Sequence, residues 1–132
     1  MGDKSTITIE VAPGELIDKI TILEIKSEHI TDQGKLENIR VELQTLEASR
    51  DAAIEPSDRI GELTARLKAV NERLWDVEDA MRECGRRGDF GPRFVEAARA
   101  EYTLNDERAA IKRSINELLG SRIMEEKSYE GQ

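Results

Sequence analysis

The sequence predicts an all-α protein: an antiparallel bundle of about four helices with a long coiled-coil-like hairpin and one short N-terminal β-strand. Four long segments carry apolar residues at helical spacing, and turn-forming residues separate them. The most regular spacing runs from Ile60 to Cys84, where apolar residues alternate three and four positions apart. Because 132 residues is the size of one domain, we expect a single helical domain over residues 1–132.

A short strand is predicted at residues 5–11, STITIEV, where apolar and polar residues alternate. The alternation puts Ile7, Ile9 and Val11 on one face. A lone strand leaves its backbone groups unpaired, so it needs a partner. That partner is either the tail near residues 122–125 or the same strand of a second subunit, which makes a homodimer one of the expected assemblies.

The first helix is predicted over residues 15–30, just after Pro13 and Gly14, because proline suits the first helical position. Its apolar residues surround much of the cylinder, which is typical of a helix covered on more than one side. They are Leu16, Ile17, Ile20, Ile22, Leu23 and Ile25. Between them lie Asp18, Thr21 and Glu24, polar groups that must be paired or lie at a cleft.

The second and third helices are predicted over residues 35–54 and 58–84. Residues 31–34, TDQG, form a turn before the second helix, and residues 55–58, EPSD, end it and offer a cap for the third. Because the linker is short, we expect these two helices to be antiparallel neighbours in a helical hairpin. The apolar seam of the third is Ile60, Leu63, Leu67, Val70, Leu74, Val77, Met81 and Cys84.

The fourth helix is predicted over residues 92–119, between the loop GRRGDFGPRF and Gly120, a suitable C-terminal stop before a tail at 120–132. Its apolar stripe is interrupted by Arg108. A neighbouring face carries Asn105, Lys112 and Asn116, which lie seven and then four residues apart and so share one side.

Charge and cysteine content exclude several classes of protein. The net charge of -8 argues against nonspecific binding to nucleic acid or anionic membranes, which needs a basic face. The single cysteine, Cys84, excludes an internal disulfide framework and fits a reducing compartment. No apolar run approaches a membrane span. We therefore expect a cytoplasmic protein that binds neither nucleic acid nor membrane.

Metal and cofactor sites have little support in the sequence. His29 and Cys84 are each single, so a zinc site is not expected, and the chain lacks nucleotide-binding loops and nucleophile motifs. We expect no cofactor. Glu72, Asp76 and Asp79 share a helical face that resembles a magnesium site, but the arginines among them favour a solvated flank.

Several strings carry a family resemblance: PGELIDKITILEIK, LWDVEDAMREC, GDFGPRF, NDERAAIKRSINELLGS and EEKSY. They resemble an uncharacterised family of small bacterial and phage proteins, domain of unknown function 6165. The resemblance spans nearly the whole chain. It implies no activity, ligand or catalytic residue, so any functional hypothesis has to come from the residues themselves.

Two groups of residues are candidate sites. The loop before the fourth helix places Arg86, Arg87 and Arg93 where an anion could bind, although pairing with the acidic flank of the third helix is the favoured alternative. The stronger candidate arises if the first and last helices are neighbours. It consists of Asp18, Thr21, Glu24, Asn105, Arg108, Lys112 and Asn116.

This mixed-charge group has two interpretations. It is either a closed network that fixes the register of the helices or a cleft for a small anionic ligand. We take a binding or interaction module with such a cleft as the main hypothesis. One alternative is a helical enzyme acting on an anionic metabolite or nucleotide, with Glu24 as acid or base and Arg108 and Lys112 as anion clamps. Another is an adaptor that dimerises or docks on a partner helix.

Overall fold

The computed structural model describes residues 5–128, and every regular element within them is an α-helix. The elements are α1 (Pro13–His29), α2 (Gln33–Ala53), α3 (Asp58–Arg87) and α4 (Pro92–Leu118). The all-α prediction with four helices is therefore confirmed. In the described part of the chain, no helix has the length and apolarity needed to cross a membrane.

Local sequence signals define several helix ends. Asp32 caps α2 by accepting a hydrogen bond from the amide of Lys35 at 2.8 Å, and Ser57 caps α3 by accepting one from Ile60 at 3.2 Å. Gly88 ends α3 with a φ of 68°, a left-handed conformation that glycine adopts without strain. These caps fix where the chain turns between the helices.

Helix α1 packs against each of the other three helices. Its apolar residues are accordingly buried on several sides of the cylinder, with Ile17, Ile20 and Ile25 all at most 2% exposed. The breadth of its apolar surface, which is unusual for a surface helix, is thus explained by neighbours on more than one side.

The main hydrophobic core lies between α1, α3 and α4, with Ile54 from the α2–α3 linker added to it. From α3 it takes the first five residues of the predicted seam, all buried. The buried members of this cluster are Ile17, Ile54, Ile60, Leu63, Leu67, Val70, Leu74, Leu104, Ile111 and Ile115. The core is aliphatic throughout, as the low aromatic content requires.

The prediction that the second and third helices pack as a hairpin is wrong. Helix α2 packs against α1, and within residues 5–128 its backbone does not closely approach α3 or α4. Helix α3 instead makes its most extensive packing with α4, which follows after the four-residue turn 88–91. The reason is competition for the α3 seam: α1 and α4 cover it, whereas Ile39 is the one buried residue described in α2.

The predicted strand at residues 5–11 is not found either. Residues 6–12 form no strand or other regular secondary structure in the described part of the chain. Its helices offer no sheet edge for this segment to pair with. Ile7 and Ile9 are 88% and 71% exposed. The tail beyond residue 128 lies outside the described residues.

Candidate functional site

The centre of the candidate site is Asp18, a completely buried carboxylate on α1. Its Oδ1 accepts a hydrogen bond from Nε of Arg108 on α4 at 3.0 Å, and its Oδ2 accepts one from a terminal nitrogen of the same guanidinium. This two-point pairing fixes the orientation of both side chains. The arginine side chain keeps 29% of its surface exposed, so the pair joins the interior to solvent.

Two further polar groups complete the surroundings of Asp18. Nδ2 of Asn71 on α3 donates to Oδ1 of Asp18 at 2.9 Å and to Oγ1 of Thr21 at 3.0 Å. The Thr21 hydroxyl in turn donates to the backbone oxygen of Asp18 at 2.8 Å. Among the described residues, no buried side-chain polar atom lacks a hydrogen-bond partner. The Asp18 group is therefore a closed network linking α1, α3 and α4.

Arg108 carries its positive charge within this network. The hydrogen bond to Asp18 raises the pKa of Arg108 above its ordinary value, and this effect outweighs the opposing effect of burial. The guanidinium of Arg108 is thus permanently protonated. Its Nη1 also donates to Oδ1 of Asn105 at 3.4 Å.

Lys112, one helical turn beyond Arg108, lies between two carboxylates. Its Nζ donates to Glu15 on α1 at 2.7 Å and to Glu125 at 3.1 Å, and its side chain is only 13% exposed. Burial alone would lower the pKa of Lys112. The hydrogen bonds to the two glutamates raise it by more than burial lowers it, so the pKa lies above its ordinary value. The ammonium is charged at neutral pH.

Helices α1 and α4 come close together at Gly14. Its amide donates to Oδ1 of Asn116 at 2.7 Å, and Asn116 is itself 3% exposed. Together with the pairs formed by Glu15 and Asp18, this contact shows that α1 and α4 run in opposite directions. Asn116 is thus an anchor between helices and supplies the cap that α1 lacks at Ala12.

Gly14→Ala should destabilise the protein by about 1 to 3 kcal/mol, the usual range for overpacking. A methyl group there would lie 2.5 Å from the backbone oxygen of Lys112 and 2.8 Å from Oδ1 of Asn116, so α4 would have to move. Urea denaturation measures the loss. Gly61→Ala is the matched control, since its added methyl would meet no atom within 4 Å. Equal unfolding midpoints for Gly14→Ala and the parent would contradict the close approach.

A groove of about 530 Å³ lies beside this polar cluster, between α4 and the C-terminal segment, which we define as residues 122–128. Arg108 and Lys112 form its inner wall, and Arg113 also lines it. The complete lining is Glu15, Asn105, Arg108, Ala109, Lys112, Arg113, Asn116, Glu125, Glu126, Lys127 and Ser128.

Ion pairs hold the C-terminal segment against α4. Glu125 accepts from Lys112, Glu126 accepts from Nη1 of Arg113 at 3.4 Å, and Lys127 pairs with Asp106. The two glutamate side chains are 68% and 75% exposed. The carboxylates of Glu125 and Glu126 are therefore paired with Lys112 and Arg113, two of the cations that line the groove.

The structure separates Glu24 from the other predicted site residues. Its carboxylate lies 3.8 Å from Nζ of Lys68 on α3 and does not line the groove. The remaining six predicted residues either join the Asp18 network or line the groove. Sequence reasoning missed Asn71 and Glu15, and also the groove residues Arg113, Glu125 and Glu126. The signal for Asn71 was its position beside Val70 in the α3 seam, where a polar side chain is buried.

Two arginines of the predicted anion-binding loop already form ion pairs within the chain. Arg86 and Arg87 both pair with Glu83, at 2.6 and 2.9 Å, and Arg93 is exposed and forms no ion pair with residues 5–128.

His29 stacks on Trp75 with ring centroids 4.6 Å apart. Across the described residues, no three or more His, Cys, Asp or Glu side chains are grouped to hold a metal ion.

Comparison with known proteins gives a family but no relative of known activity. No curated protein and no solved structure matches the chain significantly. A family model described as "Family of unknown function (DUF6165)" matches residues 7–132, which includes all four helices, the Asp18 network and the groove. The chain therefore belongs to the DUF6165 family.

Proposed function

We propose that the protein is a small binding module whose groove between α4 and the C-terminal segment takes a small ligand with two acidic groups. The observation that carries this proposal is the pairing of Lys112 and Arg113 with Glu125 and Glu126. These adjacent carboxylates mark two positions where the groove already accommodates negative charge. A ligand dianion would replace them.

The energetics favour this exchange. The carboxylates of Glu125 and Glu126 are 68% and 75% exposed, so both remain in contact with solvent when a ligand displaces them, which keeps the cost of displacement small. Lys112 is mostly buried and is held in position by Glu15 on α1. A cation fixed in this way loses little side-chain entropy when an anion binds, which makes it a better anchor than a freely moving surface lysine.

The Asp18 network has a supporting role in this proposal. Because all its buried polar atoms are paired within the described chain, it offers no binding capacity of its own. It holds Arg108 rigidly at the groove wall. Rigid positioning of binding groups by neighbouring hydrogen bonds is what a preformed polar site requires.

Size and composition restrict the ligand. A volume of about 530 Å³ is within the range of about 300 to 1,000 Å³ for small-molecule sites. The lining is dominated by charged and amide side chains, so a compact polar metabolite with carboxylate or phosphate groups fits better than an apolar one. The enzyme alternative is less well supported, because Glu24, its acid or base, does not line the groove.

Replacing Glu125 and Glu126 together by glutamine should strengthen binding of citrate or pyrophosphate by up to about thirtyfold, because the two lost competing carboxylates together contribute up to about 2 kcal/mol. Titration calorimetry at low salt measures the affinities. Adding Lys112→Met to this variant should remove the binding. The matched control is Glu37→Gln with Glu62→Gln, which also removes two carboxylates, from exposed pairs with Arg40 on α2 and Arg59 on α3.

Two outcomes would contradict the proposal. One is that neither anion binds the parent or the glutamine variant at millimolar concentration. The other is that Glu37→Gln with Glu62→Gln strengthens binding as much as the C-terminal substitutions, which would show that total charge, and not the groove, determines the affinity.

A further inference from the structure

The N-terminal segment, residues 5–11, exposes apolar side chains to an unusual degree. Ile7 and Ile9 are 88% and 71% exposed, more than the other large apolar residues described. No backbone hydrogen bond joins residues 7–11 to the rest of the described chain. Contiguous exposed apolar surface of this kind is typical of an interaction site.

An apolar groove of about 320 Å³ adjoins this segment. It begins at Val11 and lies between the start of α1, the end of α2 and the end of α4. Its lining is Val11, Pro13, Leu16, Ala53, Ile54, Glu55, Leu119 and Ser121. Ile9 remains exposed although Val11, only two residues further on, lines the groove, so the segment leaves its own groove unfilled.

We propose that two copies of the chain exchange these segments, with Ile7 and Ile9 of each copy filling the apolar groove of the other. One surface carries both a projecting apolar segment and an apolar groove, and such a surface is self-complementary under two-fold symmetry. Ile7 and Ile9 are two positions apart, so in an extended conformation both side chains point to one side and can enter the groove of the second copy, while Val11 stays in the groove of its own chain.

Charge is compatible with a second copy as the occupant. Two molecules with a net charge of -8 repel each other unless the surfaces in contact are locally neutral. Glu10 is the one charged residue in residues 5–11, and its carboxylate already pairs with Arg122 at 3.1 Å. In the groove lining, Glu55 is the one charged residue, so the contact brings few charges together. It is independent of the anion groove on α4.

Sedimentation velocity over a range of protein concentrations tests the exchange. The parent should form dimers, and Ile7→Ser with Ile9→Ser should weaken dimerisation at least about a hundredfold, since each buried isoleucine contributes more than a factor of ten. Val41→Ser with Val95→Ser is the matched control, because these valines are 53% and 41% exposed elsewhere on the chain. The control should dimerise like the parent.

Mixing variants separates exchange from other dimer contacts. Ala53→Lys should block the groove without unfolding the chain, because Ala53 is exposed at the end of α2. Neither this variant nor the double serine variant should dimerise as well as the parent, but their mixture should contain heterodimers with one segment in one intact groove. A parent that stays monomeric, a serine variant that dimerises like the parent, or a mixture without heterodimers would overturn the proposal.

Discussion

Replacing Arg108 by alanine should lower the free energy of unfolding by about 3 to 5 kcal/mol, the usual cost of removing one partner of a buried ion pair. The Asp18 carboxylate is completely buried, and without the guanidinium its remaining side-chain donor is Asn71. Asp18→Asn should cost less, because the arginine is 29% exposed and keeps contact with solvent. Removing the arginine should therefore cost more stability than neutralising the aspartate.

A double-variant cycle measures this coupling. Arg108→Ala combined with Asp18→Asn should recover part of the loss, since no buried charge is left unpaired. Chemical denaturation with an unchanged slope gives the four free energies. Arg40→Ala, which breaks the exposed pair with Glu37 on α2, is the control and should change stability by less than about 0.5 kcal/mol. Equal effects of Arg108→Ala and Arg40→Ala would contradict the buried network.

Leu67→Ala should lower the free energy of unfolding by about 2 to 5 kcal/mol, the range for large-to-small substitutions in a core. Leu67 is 0% exposed and belongs to the main cluster, together with Ile17 from α1 and Ile115 from α4. Because three helices converge there, the surroundings can collapse into the cavity only by moving whole helices, which places the cost toward the upper part of that range.

Thermal unfolding is a convenient measurement for this substitution, since about 1 kcal/mol corresponds to roughly 2 to 8 °C for domains of this order of size. Val41→Ala is the control, because Val41 lies on α2 with 53% of its surface exposed and should be close to neutral. A melting temperature of Leu67→Ala within error of that control would show that the α3 seam is not the core.

The helices were predictable because each has local signals. Asp32, Ser57 and Gly88 are standard cap and stop residues, and the structure uses each of them in that way. Helix pairing was not predictable from linker length. A short connection brings two helix ends together. Which faces then pack depends on the relative apolarity of all the helices that could pack there. Helices α1 and α4, and not α2, cover the α3 seam.

The candidate site was predictable only in outline. The spacing of Asn105, Lys112 and Asn116 showed that they share a face of α4, and that face does lie against α1 or the groove. Their individual partners depend on helix register, which the sequence pattern leaves open. Glu24 was expected beside Asp18, but the two lie on different sides of α1, and Asp18 alone reaches Arg108.

The contact between Gly14 and Asn116 also affects how the chain folds. The start of α1 has no side-chain cap of its own, and the residue that replaces the cap is 102 positions away in the sequence. Bringing two such distant points together has a large loop-closure entropy, whereas α3 and α4 meet after a turn of only four residues. Helix α1 should therefore reach its full length late in folding, after the α3–α4 pair has formed a surface to receive it.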